Sequence, residues 1–110
     1  PVFEPEKARY FIQTYEDHFG ALGLPILVGI LPLVNPRHAR FLHNEVPGIF
    51  IPDSIQSRMV KAGEKSAIEG AKIAIELIND MRSDFQGVYF MPAFNRFDMV
   101  AEIIDQVKGS

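Results

Sequence analysis

The most constraining feature of this sequence is an unbroken apolar run, PILVGILP, from Pro25 to Pro32. It lacks the polar alternation of a half-exposed strand and is far shorter than the ~20 apolar residues of a membrane-spanning helix. Strands with both faces buried have this composition, and they are typical of parallel sheets covered by helices. The chain should therefore be an α/β protein organised around this strand.

The residues after the strand predict the start of a helix. The side chain of Asn35 can accept a hydrogen bond from an N–H of the first helical turn that would otherwise be unpaired. Pro36 lacks only an N–H that this turn would leave unpaired anyway. We expect the helix to run to about Val46, with Ala39 and Leu42 buried, which completes one βα unit.

Four further helices and a second strand are predicted from apolar periodicity. The helices are expected at about residues 4–20, 52–63, 64–80 and 95–108, and the strand at Val88–Met91. The expected inward residues are Ala8, Phe11, Ile12, Tyr15 and Phe19 in the first of these helices, Ile68, Ala71, Ile75 and Ile78, widened by Ala67, Ala74 and Leu77, in the third, and Phe97, Val100, Ala101, Ile104 and Val107 in the last. We expect Asn95 to cap the last helix. Gly70, inside the third, indicates either close packing against a neighbouring backbone or a merely tolerated glycine.

The two strand exits resemble each other. Pro32 and Asn35 recur as Pro92 and Asn95, 60 residues later. Ligands gather at the carboxyl ends of parallel strands in open sheets and in barrels, so the exits predict a binding site. The alternative is that proline ends strands and asparagine caps helices in any βα turn.

Two side chains at the second exit could contact a ligand directly. The guanidinium of Arg96 could hold a carboxylate or phosphate, or it could be a solvated residue of the first helical turn. The ring of Phe94 could stack on a planar ligand, or it could belong to an aromatic core.

The length of the chain limits its architecture. An eight-stranded barrel takes ~250 residues, so 110 residues hold about three of its eight βα units. Two strands and the apolar Val2-Phe3 stump cannot form a typical covered sheet. We therefore expect a single unit, residues 1–110, that forms an incomplete barrel and either self-associates or packs on the rest of the barrel.

Composition excludes several function classes. The net charge of −3, without a Lys/Arg cluster, gives no reason to expect nucleic acid or a membrane as partner. The chain has no cysteine, which excludes disulfides, thiolate nucleophiles and Cys-ligated metals. No signal peptide or membrane span is recognised, so we expect a cytoplasmic protein.

No catalytic or metal-binding residue is predicted. His38 and His43 lie five residues apart and do not share a helix face as the histidines of an HExxH zinc site do, so surface or capping roles are expected. There is no glycine-rich phosphate loop and no Ser/His/Asp order.

Several segments, taken in order, resemble the flavin-dependent methylenetetrahydrofolate reductases. They are PVF at 1–3, PILVGILPL at 25–33, FLHNEVPGI at 41–49, IP at 51–52 and FNR at 94–96. The stretch from Asn44 to Gly48 is most similar to bacterial bifunctional proteins that join such a reductase to a homocysteine S-methyltransferase. The resemblance runs nearly end to end and implies the last three βα units of a TIM (β/α)8 barrel.

The resemblance implies hydride transfer from NAD(P)H through FAD to 5,10-methylenetetrahydrofolate. In this family the catalytic acid and most flavin contacts come from earlier strands, so the chain alone is expected neither to hold FAD nor to turn over. The folate side of the barrel mouth remains, and the substrate-binding residues implied are Leu33, Asn35, Phe94, Asn95 and Arg96. Two alternatives are a non-catalytic partial barrel that self-associates and a different barrel enzyme that shares only the βα turn chemistry.

Overall fold

Five α-helices and two strands make up the part of the chain that the computed structural model describes, residues 1–20 and 26–109. In chain order they are α1 (Pro5–Phe19), β1 (Leu27–Ile30), α2 (Pro36–Glu45), α3 (Asp53–Ala62), α4 (Ser66–Met81), β2 (Gly87–Phe90) and α5 (Phe97–Lys108), with 3-10 turns at Gly63–Lys65 and Ala93–Asn95. This mixture of helices with parallel strands confirms the α/β class. Pro25, the predicted start of the first strand, lies outside the described residues.

The helices begin and end largely where local chemistry predicts. Helix α1 starts at Pro5 and stops before Gly20, whose φ of 85° lies in the left-handed region that glycine adopts readily. Helix α3 likewise stops before Gly63, with φ 56°. Asn35 caps α2, because its side chain accepts the backbone N–H of His38 at 2.8 Å.

The two strands pair in parallel with the same offset as the repeated sequence motif. Leu27 pairs with Gly87 and Ile30 with Phe90, so each residue faces the one 60 positions later. The carboxyl ends of β1 and β2 therefore lie side by side at one edge of the sheet. On the other side of β1, the N–H of Val2 donates to the carbonyl oxygen of Gly29 at 2.8 Å. The N-terminal stump thus bonds to the free edge of this two-stranded sheet.

A single apolar core lies between this small sheet and the helices. Helix α4 is central to it and packs against α1, α3 and α5. The largest fully buried side chains are Ile30, Leu33, Ile51, Met59, Met81 and Ile103. Val28 and Ile30 face this core, whereas Leu27 and Tyr89 remain 57% and 49% exposed. Only one face of the apolar sheet is therefore covered by the described residues.

The buried face of α4 matches the predicted stripe only in part. Ala74, Leu77 and Ile78 are buried as expected, but Ile68 is 59% exposed, and Ala67, Ala71 and Ile75 are only half-buried. The buried residues of this helix are Ser66, Gly70, Ile73, Ala74, Leu77, Ile78 and Met81. The prediction for Ile68 was wrong because α4 is apolar around most of its circumference, so apolarity does not select one face. Close approach to the β1 exit selects the face that carries the small residues instead.

The predicted inward faces of the two terminal helices also need correction. In α5 the buried residues are Met99 and Ile103, whereas Phe97 is 64% exposed. In α1 no residue is fully buried, and Phe11 and Phe19 point largely into solvent. The described core is too small to cover the whole aromatic face of α1, and only Ala8 and Ile12 of this face pack against it. No helix in residues 1–20 and 26–109 is both long and apolar enough to cross a membrane.

Candidate ligand cleft at the strand exits

The exit of β1 is a turn held by side-chain hydrogen bonds. Asn35 Oδ1 accepts the His38 backbone N–H, and His38 Nδ1 accepts the N–H of Val34 at 3.2 Å. The hydroxyl of Ser66, at the start of α4, donates to the carbonyl oxygen of Val34 at 3.2 Å. Because both backbone groups of Val34 are bonded, this exit has a defined shape.

Helix α4 packs closely against the backbone of the same turn. A Cβ placed on Gly70 would overlap the carbonyl group of Leu33. Helix α4 can therefore pack this closely only because residue 70 has no side chain. Of the two interpretations of Gly70, close packing against a neighbouring backbone is confirmed. The Leu33 side chain is 1% exposed and belongs to the core, so this predicted substrate-binding residue supports the exit without lining a ligand cleft.

The exit of β2 has a different backbone from the exit of β1. Phe94 and Asn95 both have left-handed backbones, with φ of 53° and 58°. Asn95 makes no capping bond, and α5 begins only at Phe97, with Arg96 at the N-cap position. The prediction that Asn95 caps the last helix was wrong. Asparagine is also favoured in left-handed turns, so the same residue type satisfies a different geometry here.

The left-handed turn carries the Phe94 ring outward. A bulky residue at positive φ is strained, by an amount on the order of 1–3 kcal/mol, and such strain is concentrated at functional sites. The ring is 70% exposed and lies 5.2 Å from the His38 ring, centroid to centroid, in an edge-to-face arrangement. The two exits therefore contact each other through an aromatic pair.

A cleft of about 670 Å³ opens between α2 and the exit of β2. Its lining residues are Leu31, Asn35, Arg37, His38, Phe41, Leu42, Ala93 and Phe94. Two of the five predicted substrate-binding residues, Asn35 and Phe94, thus meet in one cleft. Leu33, Asn95 and Arg96 do not line it.

Sequence reasoning missed the contribution of His38 to the cleft, although it predicted a surface or capping role for this histidine. The signal that could have revealed it is the spacing of His38 and Leu42 from the cap residue Asn35. Residues three to four positions apart lie on the same side of a helix, so these three side chains share one side of α2. The side chain is 8% exposed, and burial lowers the pKa of the imidazole below its usual value. His38 is therefore a neutral residue of the cleft at neutral pH.

Arg96 lies at a separate groove beside α4 and α5. Its guanidinium bonds both carboxylate oxygens of Asp98, with Nε–Oδ1 at 3.0 Å and Nη2–Oδ2 at 3.2 Å. This pairing lowers the pKa of the Asp98 carboxyl. The bond to Asp98 uses Nε and Nη2, which leaves Nη1 of Arg96 to donate to a ligand carboxylate.

The cleft does not fit FAD. A dinucleotide flavin carries a diphosphate, which proteins usually hold with glycine-rich turns, helix N-termini or several cations. Arg37 is the single cation among the lining residues, and none of them is a glycine. Among the described residues, no group of three or more His, Asp or Glu side chains could hold a metal ion.

The comparisons with known proteins add no family assignment. No protein-family model matches this chain, and a search of curated proteins finds no significant match.

Proposed function

We propose that this chain forms the last three βα units of a TIM (β/α)8 barrel of a methylenetetrahydrofolate reductase and supplies the folate side of its mouth. The observation that carries the proposal is the agreement between the strand register and the repeated exit motif. Both have an offset of 60 residues, so Asn35 and Asn95 follow neighbouring strands at one edge. In barrels this edge binds the substrate. The resemblance of the ordered segments suggests which substrate.

The uncovered face of the sheet supports an incomplete barrel. Leu27 and Tyr89 project away from the helices, where the interior of a barrel would be filled by bulky side chains. A Cβ on Gly29 would lie 2.8 Å from the Tyr89 ring, so the absence of a side chain on β1 makes room for that ring. Five further strands would cover this face and close the sheet.

In the parent enzyme the earlier strands would hold FAD, which would supply the hydride chemistry between NAD(P)H and the folate. The residues of this chain would bind and orient the folate. Phe94 offers an exposed ring as an apolar wall, and Asn35 offers its amide group. Asn95 holds the turn that presents Phe94, and Leu33 supports the opposite exit. Arg96 attracts the folate carboxylates through the guanidinium donors that its pairing with Asp98 leaves unused.

Fragment complementation tests this proposal. The chain would be co-expressed with the first five βα units of a family reductase, and the co-purified complex assayed for bound flavin and for NAD(P)H-dependent reduction of 5,10-methylenetetrahydrofolate. We expect a yellow, active complex and two colourless, inactive parts. Phe94→Ala should raise KM for the folate, because it removes the apolar wall.

Two results would contradict the proposal. One is stoichiometric FAD and turnover in the chain alone, which would make it a complete enzyme. The other is a stable complex of the two parts that binds no flavin.

A second candidate function is a non-catalytic partial barrel that self-associates. The aromatic face of α1 favours it, because Phe11 and Phe19 are 67% and 75% exposed. Sedimentation at low concentration distinguishes the two proposals. A tight, well-folded oligomer without ligand supports the interaction module, whereas a weakly associating or aggregating chain supports the orphan part of a barrel.

A further inference from the structure

The hydrogen bond between Val34 and His38 determines where the His38 ring carries its proton. A backbone N–H can only donate, so His38 Nδ1, 3.2 Å from Val34 N, must be the unprotonated acceptor. A neutral imidazole with a bare Nδ1 carries its proton on Nε2. The lowered pKa of His38 agrees with the neutral form. His38 therefore has a fixed donor, Nε2–H.

This donor is available to a ligand. Within residues 1–20 and 26–109, no buried side-chain nitrogen or oxygen lacks a hydrogen-bond partner, and Nε2 of His38 has no partner there. Nε2 must therefore keep contact with solvent, although the residue as a whole is only 8% exposed. Since His38 lines the cleft beside Phe94, the solvent that it reaches is that of the cleft.

The other polar groups of the cleft are donors as well. Asn35 uses Oδ1 to accept the His38 backbone N–H, which leaves its amide NH₂ to donate. Arg37 can only donate, and it is exposed and without an ion pair in the described part of the chain. Phe41 and Phe94, which are 57% and 70% exposed, supply aromatic walls. The matching ligand is planar, anionic and rich in acceptor atoms.

We propose that His38 is a ligand-binding residue of this cleft, which donates Nε2–H to an acceptor atom of a planar aromatic carboxylate lying against Phe94. The inference adds a residue to the proposed folate mouth, and it rests on that function only for naming the ligand as a folate. The chemistry of the cleft selects an aromatic carboxylate in either case.

Two substitutions separate the two nitrogens of His38. His38→Asn places an amide oxygen near the Nδ1 position, so it keeps the bond from Val34 but loses the Nε2–H donor. His38→Gln extends an amide N–H toward the Nε2 position. The probe is 4-aminobenzoylglutamate, titrated into the full 110-residue chain and followed by NMR. We expect His38→Asn to fold normally and to bind about tenfold more weakly or worse, because a hydrogen bond to a charged ligand is lost. His38→Gln should retain most of the affinity.

His43 provides a matched control. Its Nδ1 also accepts a backbone N–H, that of Ile51 at 3.0 Å, and its ring also meets a phenylalanine edge-to-face, Phe50 at 4.9 Å. It does not line the cleft. His43→Asn should therefore leave the affinity for the probe unchanged.

The inference is overturned if the wild-type chain does not bind the probe, if His38→Asn binds it as well as wild type, or if ¹⁵N spectra show the His38 proton on Nδ1. Failure of this inference can be told from failure of the proposed function. An active complemented reductase unaffected by His38→Asn would sink the role of His38 alone. An inactive complementation, with probe binding that still depends on His38, would sink the reductase and leave the ligand site.

Discussion

At the scale of single residues, Gly70 decides how closely the central helix approaches the strand exit. Any side chain here would enter the space of the Leu33 carbonyl group, which is backbone and cannot rotate away. The contact is with Leu33, which immediately precedes the turn that positions Asn35 and His38. One missing side chain therefore sets the shape of the candidate cleft.

We expect Gly70→Ala to destabilise the protein by about 1–3 kcal/mol or more through overpacking, despite the ~1 kcal/mol that alanine gains over glycine in a helix. Chemical denaturation would measure the free energy of unfolding. Lys72, exposed on the same helix, is the control: there alanine should be more stable than glycine by ~1 kcal/mol. The same order of stabilities at both positions would contradict the close contact.

At the scale of elements, two asparagines of the same motif have different structural roles. Asn35 has an extended backbone, φ −158°, and caps α2 with its side chain. Asn95 is left-handed and makes no capping bond, and α5 starts one residue later than the repeat would place it. The motif therefore predicts a turn at both exits but a cap at only one.

Threonine should be the better tolerated substitution at Asn35 and the worse tolerated one at Asn95. Asn35→Ala should cost about 1 kcal/mol because a cap is lost, while Asn35→Thr keeps a hydroxyl cap and should cost less. Asn95→Gly should be neutral or stabilising, whereas Asn95→Thr should destabilise, because a β-branched residue is strained at positive φ. Thermal unfolding followed by circular dichroism would compare the four variants. A threonine that is well tolerated at position 95 would show that Asn95 is a cap after all.

Helix α1 shows how an element can be placed without deep burial. None of its residues is fully buried, and ion pairs at its surface supplement its packing. Arg9 bonds the side chains of Asp80 and Asp84, at 2.7 and 2.8 Å, at the end of α4. Because exposed ion pairs each contribute only ~0–1 kcal/mol, α1 is weakly attached within this chain.

At the scale of the whole molecule, apolar surface remains uncovered on the open face of the sheet and on α1. The helices pack on one face of the two-stranded sheet, and the described residues leave its other face, with Leu27 and Tyr89, exposed. Exposed apolar surface of this kind usually marks an interaction site, as the proposed partial barrel requires.

The second candidate function predicts that the chain self-associates through the open face of the sheet. Leu27→Lys should weaken association about tenfold, because burying one leucine side chain contributes ~1.5–3 kcal/mol. Sedimentation velocity over a range of concentrations would measure this. Val60→Lys, which replaces an equally exposed apolar residue on α3, should leave association unchanged. Equal effects of the two substitutions would mean that association is not specific to the sheet.

Local chemistry in the sequence was sufficient to determine the elements and many of their ends. The apolar run predicts β1, Asn35 and Pro36 predict the start of α2, and Gly20 predicts the end of α1, because each signal acts within a few residues. At Gly70 local chemistry left close packing and a tolerated glycine both open, and it did not identify Leu33 as the partner.

Only the tertiary structure decided which faces and side chains meet. It selected the small-residue face of α4 over the one that contains Ile68, paired Arg96 with Asp98, and brought His38 beside Phe94. These outcomes depend on the approach of segments far apart in the chain, and a helix that is apolar on several sides carries no local record of that approach.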